Sequence, residues 1–229
     1  TVSEFSKNDI VKTYKIEASK INVVFNGASK NFKPINEAKK QAVKDKFAEG
    51  VDYCLFVGTI HPRKNVPMLL KAFNQFKVEN ESSLKLLIAG KTMWSNTETT
   101  QLLNGLEHNK DIIFTGRVDD DELAELTAAA TAITYIPIFE GFGIPLLEGM
   151  QCGVPVITSN ITSMPEVVGD AGILVNPFSQ KEVVHAMQKI TADNNFHEAL
   201  SSKSILQAKK FSWEKTAQLV MESIKKTIE

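Results

Sequence analysis

The stretch that decides the fold runs from residue 132 to residue 149 and reads AITYIPIFEGFGIPLLEG. Its apolar beginning, 132–136, predicts a buried strand. Pro145 predicts the start of a helix, because the missing N–H of proline has no intrahelical acceptor at that position anyway. The two glycines between them, Gly141 and Gly143, predict a tight turn. The implied order is a strand, a glycine-rich turn and a helix N-terminus, which directs free amides and the positive helix end beyond the strand.

Short apolar runs recur on both sides of this stretch and alternate with amphipathic helical patterns. Runs of four to six apolar residues that alternate with helices predict a parallel sheet covered on both faces. The chain is therefore predicted to be an α/β protein with a doubly wound, six-stranded parallel Rossmann-like sheet. The other predicted strands are 53–58, 84–89, 112–114, 154–158 and 172–175.

The flanking regions differ from this alternating part. Residues 1–27 contain a helical pattern and a strand-like run, Ile21 to Phe25. Residues 28–50 are rich in Lys, Asn and Glu and predict a linker with one short amphipathic helix. The regular domain is expected to span 51–210, with Asn65 or a neighbour capping its first helix, and 211–229 predicts a final helix.

Composition excludes several classes of protein. The chain has 229 residues, a net charge of −1, 43% apolar and 23% charged residues, which is ordinary for a globular protein. The charge balance argues against a nucleic-acid binder or a polybasic membrane surface. No run approaches the roughly 20 apolar residues of a membrane span. The chain opens on Thr1 without a signal-peptide pattern, which reads as a cut start.

Two cysteines and four histidines show no pattern of a disulfide framework or a zinc site. Cys54 and Cys152 both lie in apolar or helical patterns, which favours a reducing, cytoplasmic compartment. The run Asp119 to Asp121 suggests a metal-binding cluster, but a capping box of Asp119 with Glu122 explains it better. No metal is therefore expected.

Candidate ligand-binding groups follow the predicted strands, whose carboxyl ends line the ligand sites of open parallel sheets. After the first strand come Gly58, Thr59 and the basic pair Arg63 and Lys64. Such a pair neutralises a phosphate, Arg through a planar fork and Lys as a point charge. The alternative is two solvated cations beside a turn.

Two other strand ends carry candidate backbone sites. Gly141, Phe142, Gly143 and Ile144 allow a ligand to approach the main chain closely, although Gly-Phe-Gly also suits a simple strand-to-helix turn. The segment 115–118, with Arg117 and Val118, follows another strand and could face a planar base, or be an ordinary loop. Ser159, Thr162, Ser163 and Glu166 are interpreted as caps for the helix that opens at Pro165 rather than as ligand contacts.

Two carboxylates flank the glycine turn. Glu148, placed in the first turn of its helix, is favoured there by the helix dipole. A phosphate would repel it, so a ribose diol is the better partner, since one carboxylate accepts from both hydroxyls. Glu140 in the turn is either an ordinary loop acid or a group beside the reacting carbon or sugar hydroxyls.

Several of these motifs occur in an order that resembles one family. They are 57–59 through 63–65, 114–118, 140–145 to Glu148, 153–156 and 165–172. Together they resemble the C-terminal, donor-binding half of glycosyltransferase family 4, which comprises retaining enzymes of the GT-B fold, with mannosyl- and glucosyltransferases among them. The Glu-x7-Glu pair is the most specific feature.

The resemblance implies a role for each group. Glu148 would bind the ribose of a GDP- or UDP-linked hexose, and Glu140 would lie by the donor sugar near the reaction centre. Lys64 and Arg63 would stabilise the departing diphosphate, assisted by amides around 141–144, so that no metal or other cofactor is required. Many members carry Arg directly after the first-strand glycine, where this chain has Thr59, and Arg63 is proposed to substitute for it.

The resemblance also implies what surrounds this half. Residues 1–27 would be a remnant of the N-terminal domain, which holds the acceptor site, and 211–229 would be the helix that crosses back to it. A glycan or lipid-linked acceptor and no nucleic acid are the expected partners of the full-length protein, and peripheral association with the inner face of the membrane stays open. The isolated chain is expected to bind donor but to transfer little sugar. The alternatives are a GT-B phosphorylase, a sugar-nucleotide epimerase or a non-catalytic nucleotide-binding module.

Overall fold

The computed structural model describes residues 1–91 and 97–228. In these two ranges six parallel strands form one sheet, which confirms the predicted fold class. The strands are β1 (Tyr53–Val57), β2 (Lys85–Ala89), β3 (Ile112–Gly116), β4 (Ala132–Tyr135), β5 (Val156–Ser159) and β6 (Gly172–Val175). Their order across the sheet is β3-β2-β1-β4-β5-β6.

The helices cover the sheet and follow the predicted patterns closely. The four central strands are almost wholly buried, apart from the half-buried Val57 at the end of β1, as expected for a parallel sheet with helices on both faces. Among the described residues the α-helices are α1 (Glu4–Tyr14), α2 (Glu37–Ala48), α3 (Val66–Asn80), α4 (Thr97–Asn104), α5 (Asp120–Ala128), α6 (Ile144–Gln151), α7 (Met164–Val168), α8 (Gln180–Ala192), α9 (Asn194–Ala208) and α10 (Trp213–Ile228). None of these helices is long and apolar enough to cross a membrane.

The flanking segments depart from the sequence prediction at one point. The run from Ile21 to Phe25 is not a strand: it follows a short 3-10 helix, Ala18–Lys20, and Val24 N–H donates to the Thr1 carbonyl at 2.7 Å. An apolar run becomes a strand only where a sheet edge accepts its hydrogen bonds, and no such edge lies beside it in the described chain. The predicted domain limits stay predictions, and the last residue of the final segment, 229, lies outside the described residues.

The topology gathers the loops that follow β1 and β4. These two strands lie side by side, and the chain order runs away from them in opposite directions across the sheet. Open α/β sheets bind ligands at such a reversal point, outside the carboxyl ends of the strands. The ends of β1 and β2 also approach closely, because a Cβ on Gly90 would lie 2.2 Å from the carbonyl oxygen of Gly58.

Candidate active site

The basic pair lies on a short 3-10 helix, Pro62–Lys64, directly beyond β1. His61 opens this turn by accepting from the Arg63 N–H at 3.3 Å. The carbonyl of Arg63 accepts from the N–H of Ile138 at 2.8 Å, which holds the segment after β4 against the basic turn. This backbone bond explains why groups 76 positions apart in sequence meet in space.

Glu140 lies at the centre of a compact polar cluster. Its Oε2 accepts from Arg63 Nη1 at 2.8 Å and from the Tyr135 hydroxyl at 2.6 Å, and it contacts Lys64 Nζ. The side chains of Lys64 and Glu140 are 13% and 15% exposed, whereas that of Arg63 is 43% exposed. Lys64 and Glu140 therefore form a largely buried ion pair, with Arg63 at its solvent side.

Burial and ion pairing shift the pKa values of Glu140 and Lys64 in opposite directions. Burial pulls the pKa of Glu140 upward, but the hydrogen bonds from Lys64 and Tyr135 outweigh it and lower this pKa below its usual range. Burial lowers the pKa of Lys64, and the bond to Glu140 offsets this only in part. Glu140 is therefore ionised at neutral pH.

Tyr135 is the cluster member that sequence reasoning missed. It ends β4, is fully buried and stacks on Phe56 with ring centroids 5.6 Å apart. Burial, together with the hydrogen bond to Glu140, raises the pKa of its hydroxyl well above the usual range, so it acts as a hydrogen-bond donor. The sequence signal that could have identified it was a polar hydroxyl at the carboxyl end of an otherwise apolar run.

The glycine turn positions α6, and a ligand could contact its main chain rather than its side chains. Gly143 is the N-cap of α6 with φ of 89°, a left-handed conformation that favours glycine. A Cβ there would also lie 2.9 Å from the Met164 side chain. Phe142 is buried and packs against Phe25 and Phe211, so its ring belongs to the core. Ile144, the first helical residue, is exposed.

Glu148 has a different environment from Glu140. The prediction that it lies in the first turn of α6 is wrong, because α6 begins at Ile144 and Glu148 is therefore in the second turn. The helix dipole consequently explains little of its placement. Burial, and the neighbouring negative charge of Asp120, raise its pKa to about 7. This carboxyl therefore titrates near neutral pH.

A cavity of about 340 Å³ opens at the ends of the first three strands. This volume is in the range of small-ligand sites, although at its lower end. Asp120, whose charge acts on Glu148, is one of its lining residues. The lining comprises Val57, Gly58, Thr59, Ala89, Gly90, Lys91, Arg117, Val118, Asp120 and Leu123.

The predicted site residues therefore fall into two adjoining groups. Arg63, Lys64 and Glu140 meet in the polar cluster, and Gly58, Thr59, Arg117 and Val118 line the cavity. The guanidinium of Arg63 contacts Glu140, while Thr59 faces the cavity. The strand end that joins them is that of β1, which carries Gly58 and leads into the basic turn.

The capping interpretation of the polar residues after β5 is met in position only: Ser163 is the N-cap residue of α7, but its side chain makes no capping hydrogen bond. Ser163 donates instead to the carbonyl of Glu140 at 2.9 Å. Glu166 accepts from the N–H of Glu4 at 2.8 Å and of Phe5 at 3.3 Å, and so caps α1. The residues that Ser163 and Glu166 contact are far from them in sequence, so the local sequence pattern pointed to α7 instead.

Two other capping predictions are met only in part. Asn65 stands at the N-cap of α3, but its side chain donates to the Pro177 carbonyl at 2.8 Å instead of capping the helix. Asp119 caps α5 by accepting from Glu122 N–H at 2.8 Å, whereas the Glu122 carboxylate pairs with Lys46. Across the described residues no group of three or more metal-ligating side chains forms.

The sequence matches a known family over most of its length. Residues 36–210 match the family model described as "Glycosyl transferases group 1". The chain belongs to this family of glycosyltransferases. It is 36% identical over 216 residues to O-antigen chain mannosyltransferase B of Escherichia coli, covering 93% of this chain and 56% of that protein. It is 32% identical to O-antigen chain mannosyltransferase RfbU of Salmonella typhimurium, covering 83% of this chain and 50% of that protein.

Solved structures with the same fold are more distant in sequence. HepE of Anabaena, solved with UDP and glucose, matches with a TM-score of 0.88 at 18% identity, over 98% of this chain and 62% of that one. Sucrose-phosphate synthase of Thermosynechococcus elongatus matches with a TM-score of 0.84 at 22% identity, over 100% of this chain and 57% of that one. These structures confirm the predicted fold, and the family resemblance is confirmed by the family model and the mannosyltransferase relatives. The chain spans about half the length of the curated relatives at 32% and 36% identity.

Proposed function

We propose that this chain is the donor-binding part of a retaining glycosyltransferase that transfers a hexosyl group from a nucleotide sugar to a glycan or lipid-linked acceptor. The observation that carries the proposal is the juxtaposition of a largely buried Lys–Glu pair with a ligand-sized cavity at the carboxyl edge of one parallel sheet. The cavity would take the nucleoside, and the cations beyond β1 would take the diphosphate.

The chemistry follows from where charge develops when the sugar leaves. As the bond between the sugar and the diphosphate breaks, negative charge grows on the leaving phosphate. Lys64 and Arg63 are fixed cations near that place, and cations in a water-poor site stabilise such charge strongly. The amides at the start of α6 add further donors without a side chain. In this mechanism the leaving group needs no metal ion.

Glu148 is proposed to hold the ribose. A carboxylate accepts hydrogen bonds from two neighbouring hydroxyls, and the charge that acts on Glu148 is that of Asp120, a residue of the cavity lining, rather than that of the cations. Glu140 is proposed to face the donor sugar, because its main chain is held at the basic turn where the diphosphate would lie.

A mannosyl donor with a guanine base is the preferred candidate, and a UDP-linked glucose the second. Two relatives at 36% and 32% identity are named mannosyltransferases. The carboxylate of Asp120 in the cavity lining favours guanine, which presents two adjacent N–H donors where uracil presents one. The structure with UDP, at 18% identity, is the observation behind the second candidate.

We propose that the acceptor binds outside the part of the enzyme that this chain spans. We propose that residues 1–27 and 211–229 join it to an acceptor-binding domain, and that the chain alone turns over little donor. The complete protein is proposed to act in the cytoplasm, at the inner membrane face if its acceptor is lipid-linked, in surface polysaccharide synthesis.

A ligand screen tests the donor part of the proposal. The melting temperature of this chain is measured with GDP, UDP, GDP-mannose and UDP-glucose, each beside its free nucleoside. A ligand at 100 times its Kd adds about 2.7 kcal/mol of stability. We expect the diphosphates to stabilise more than the nucleosides, and GDP more than UDP. No shift with any of them would refute donor binding.

A transfer assay tests the reaction itself. The complete protein is incubated with GDP-mannose and a glycan acceptor, and the anomeric configuration of the product is read by NMR. The α-configured donor is expected to give an α-linked product. An inverted product would overturn the retaining mechanism, and a phosphate-dependent release of sugar would favour the phosphorylase alternative.

A further inference from the structure

The position of one carboxylate suggests how the site is occupied before the donor arrives. All three donors of the polar cluster, Lys64 Nζ, Arg63 Nη1 and the Tyr135 hydroxyl, converge on one oxygen, Oε2 of Glu140. Convergent, charge-assisted donors of this kind are the usual surroundings of a bound phosphate oxygen. Here the oxygen that they surround belongs to the protein.

Burial explains why the free protein needs an anion at this place. The Lys64 side chain is 13% exposed, so little water is available to solvate its charge. An unpaired, buried ammonium group is costly, and an ion pair with good hydrogen bonds removes most of that cost. Glu140 therefore stabilises the basic turn when no ligand is bound.

The main chain around Glu140 allows the carboxylate to leave without a loop rearrangement. Ile138 N–H is bonded to the Arg63 carbonyl, and the Glu140 carbonyl accepts from Ser163. Glu140 itself lies between β4 and α6, outside regular secondary structure. A rotation of the side chain would move the carboxylate off the two cations while these backbone bonds remain in place.

We propose that Glu140 occupies the diphosphate subsite of the free enzyme, so that donor binding exchanges one anion for another on Lys64 and Arg63. The exchange rests on the proposed function, because it takes the diphosphate role of these cations as given. It also links the two roles of Glu140. The carboxylate that the diphosphate displaces is the one then delivered to the donor sugar, since its backbone stays fixed beside the basic turn.

The exchange predicts that removing the charge of Glu140 strengthens diphosphate binding. Removing a residue that only contacts the ligand would weaken it. Replacing Glu140 by Gln removes the competing charge, so the affinity for GDP should rise about tenfold while the affinity for guanosine stays unchanged. Glu140→Asp keeps the charge but shortens the side chain by one methylene, and its GDP affinity should fall between the two. UDP and uridine are measured in parallel by calorimetry.

A matched control separates local competition from a change in overall charge. Glu37→Gln removes the same charge from an ion pair with Lys40 on α2. Glu37 lines a different cavity, which is formed with residues that precede β1, β2 and β4. This substitution should leave GDP affinity unchanged. Tenfold tightening in Glu140→Gln alone, with Glu140→Asp intermediate, supports the exchange.

The outcomes distinguish the exchange from the function on which it rests. If the wild type binds GDP and both Glu140 variants bind it equally or more weakly, the exchange is overturned and the donor site stands. An equal gain in Glu37→Gln overturns it as well. If the wild type and every variant bind neither diphosphate, the proposed function fails, and the exchange fails with it.

Discussion

Glu140 and Glu148 are the same residue type at the two ends of one motif, yet their surroundings are opposite. Glu140 accepts from two cations and a tyrosine hydroxyl, and its pKa is lowered. Glu148 is half-buried, with the negative charge of Asp120 acting on it, and its pKa is raised to about 7. The carboxylate of Glu140 is suited to a site where a second anion, the diphosphate, can replace it on the cations. The carboxylate of Glu148 is suited to neutral hydroxyl groups, which a partly ionised acid can bind.

The largest expected effect comes from removing the cation that Glu140 contacts. Lys64→Ala should weaken nucleoside diphosphate binding by about 1.5–3 kcal/mol, the usual value for a charged hydrogen bond, and leave nucleoside binding nearly unchanged. Calorimetry with GDP and guanosine measures both. Lys44→Ala is the matched control, since Lys44 is also a poorly exposed lysine, paired with Asp52 at 2.6 Å. Equal losses for GDP and guanosine would contradict a phosphate role.

Glu148→Gln should weaken nucleotide binding and stabilise the free protein. Loss of the ribose contact is expected to cost about 1–3 kcal/mol of nucleotide affinity. The free protein should become more stable at pH 8 by about 1–2 kcal/mol, because the substitution removes a half-buried carboxylate whose folded pKa is raised. Urea denaturation at pH 8 and calorimetry measure the two quantities. Glu125→Gln, in a half-exposed pair with Lys39, should change neither appreciably.

The pH dependence of binding follows from the same carboxyl. A group with a folded pKa near 7 and an ordinary unfolded value stabilises the free protein below about pH 4.5, and that contribution is lost as the pH rises through 7. Nucleoside affinity should change in the other sense, rising roughly tenfold from pH 6 to pH 8 as Glu148 ionises. A nucleoside is used because phosphate itself titrates near pH 6. A flat profile in wild type, or the same rise in Glu148→Gln, would contradict this assignment.

The smallest expected effect concerns the tyrosine beside Glu140. Tyr135→Phe should lower the free energy of unfolding by about 1 kcal/mol, because its hydroxyl donates to Glu140 and accepts from Lys64 Nζ. Tyr53→Phe is the matched variant, since its buried hydroxyl donates to the Leu126 carbonyl at 2.6 Å. In a double-mutant cycle with Glu140→Gln, only Tyr135→Phe should show a coupling, because a charged acceptor forms the stronger bond. Absence of coupling would remove Tyr135 from the cluster.

The sequence predicted most of the fold because its signals are local. Short apolar runs, three of them ending at glycine, defined six strands, and their alternation with helices defined the parallel sheet. The run from Ile21 to Phe25 failed because strand formation depends on a neighbouring edge, which no local pattern records. The capping of α1 by Glu166 was missed because its partners lie 161 and 162 positions away.

The candidate site was predictable in its residue types but not in its pairings. Lys64, Arg63 and the two acids could be selected because they follow strands that end at one edge. That Arg63 and Lys64 both contact Glu140 depends on the backbone bond between Ile138 and Arg63, which only the folded chain shows. The different pKa shifts of the two acids likewise depend on burial and on the charge of Asp120, which acts from α5 on Glu148 in α6.

The first helix has a mechanical consequence for the site. Its N-terminus is held by Glu166, Ser6 donates to the Gly141 carbonyl at 3.4 Å, and the ring of Phe5 packs edge-on against Phe139 at 5.7 Å. Three side chains thus connect α1 to the two residues that flank Glu140 and to the helix beyond β5. A displacement of α1 would therefore act on both sides of Glu140 from outside the sheet, at a distance from the cations that pair with this carboxylate.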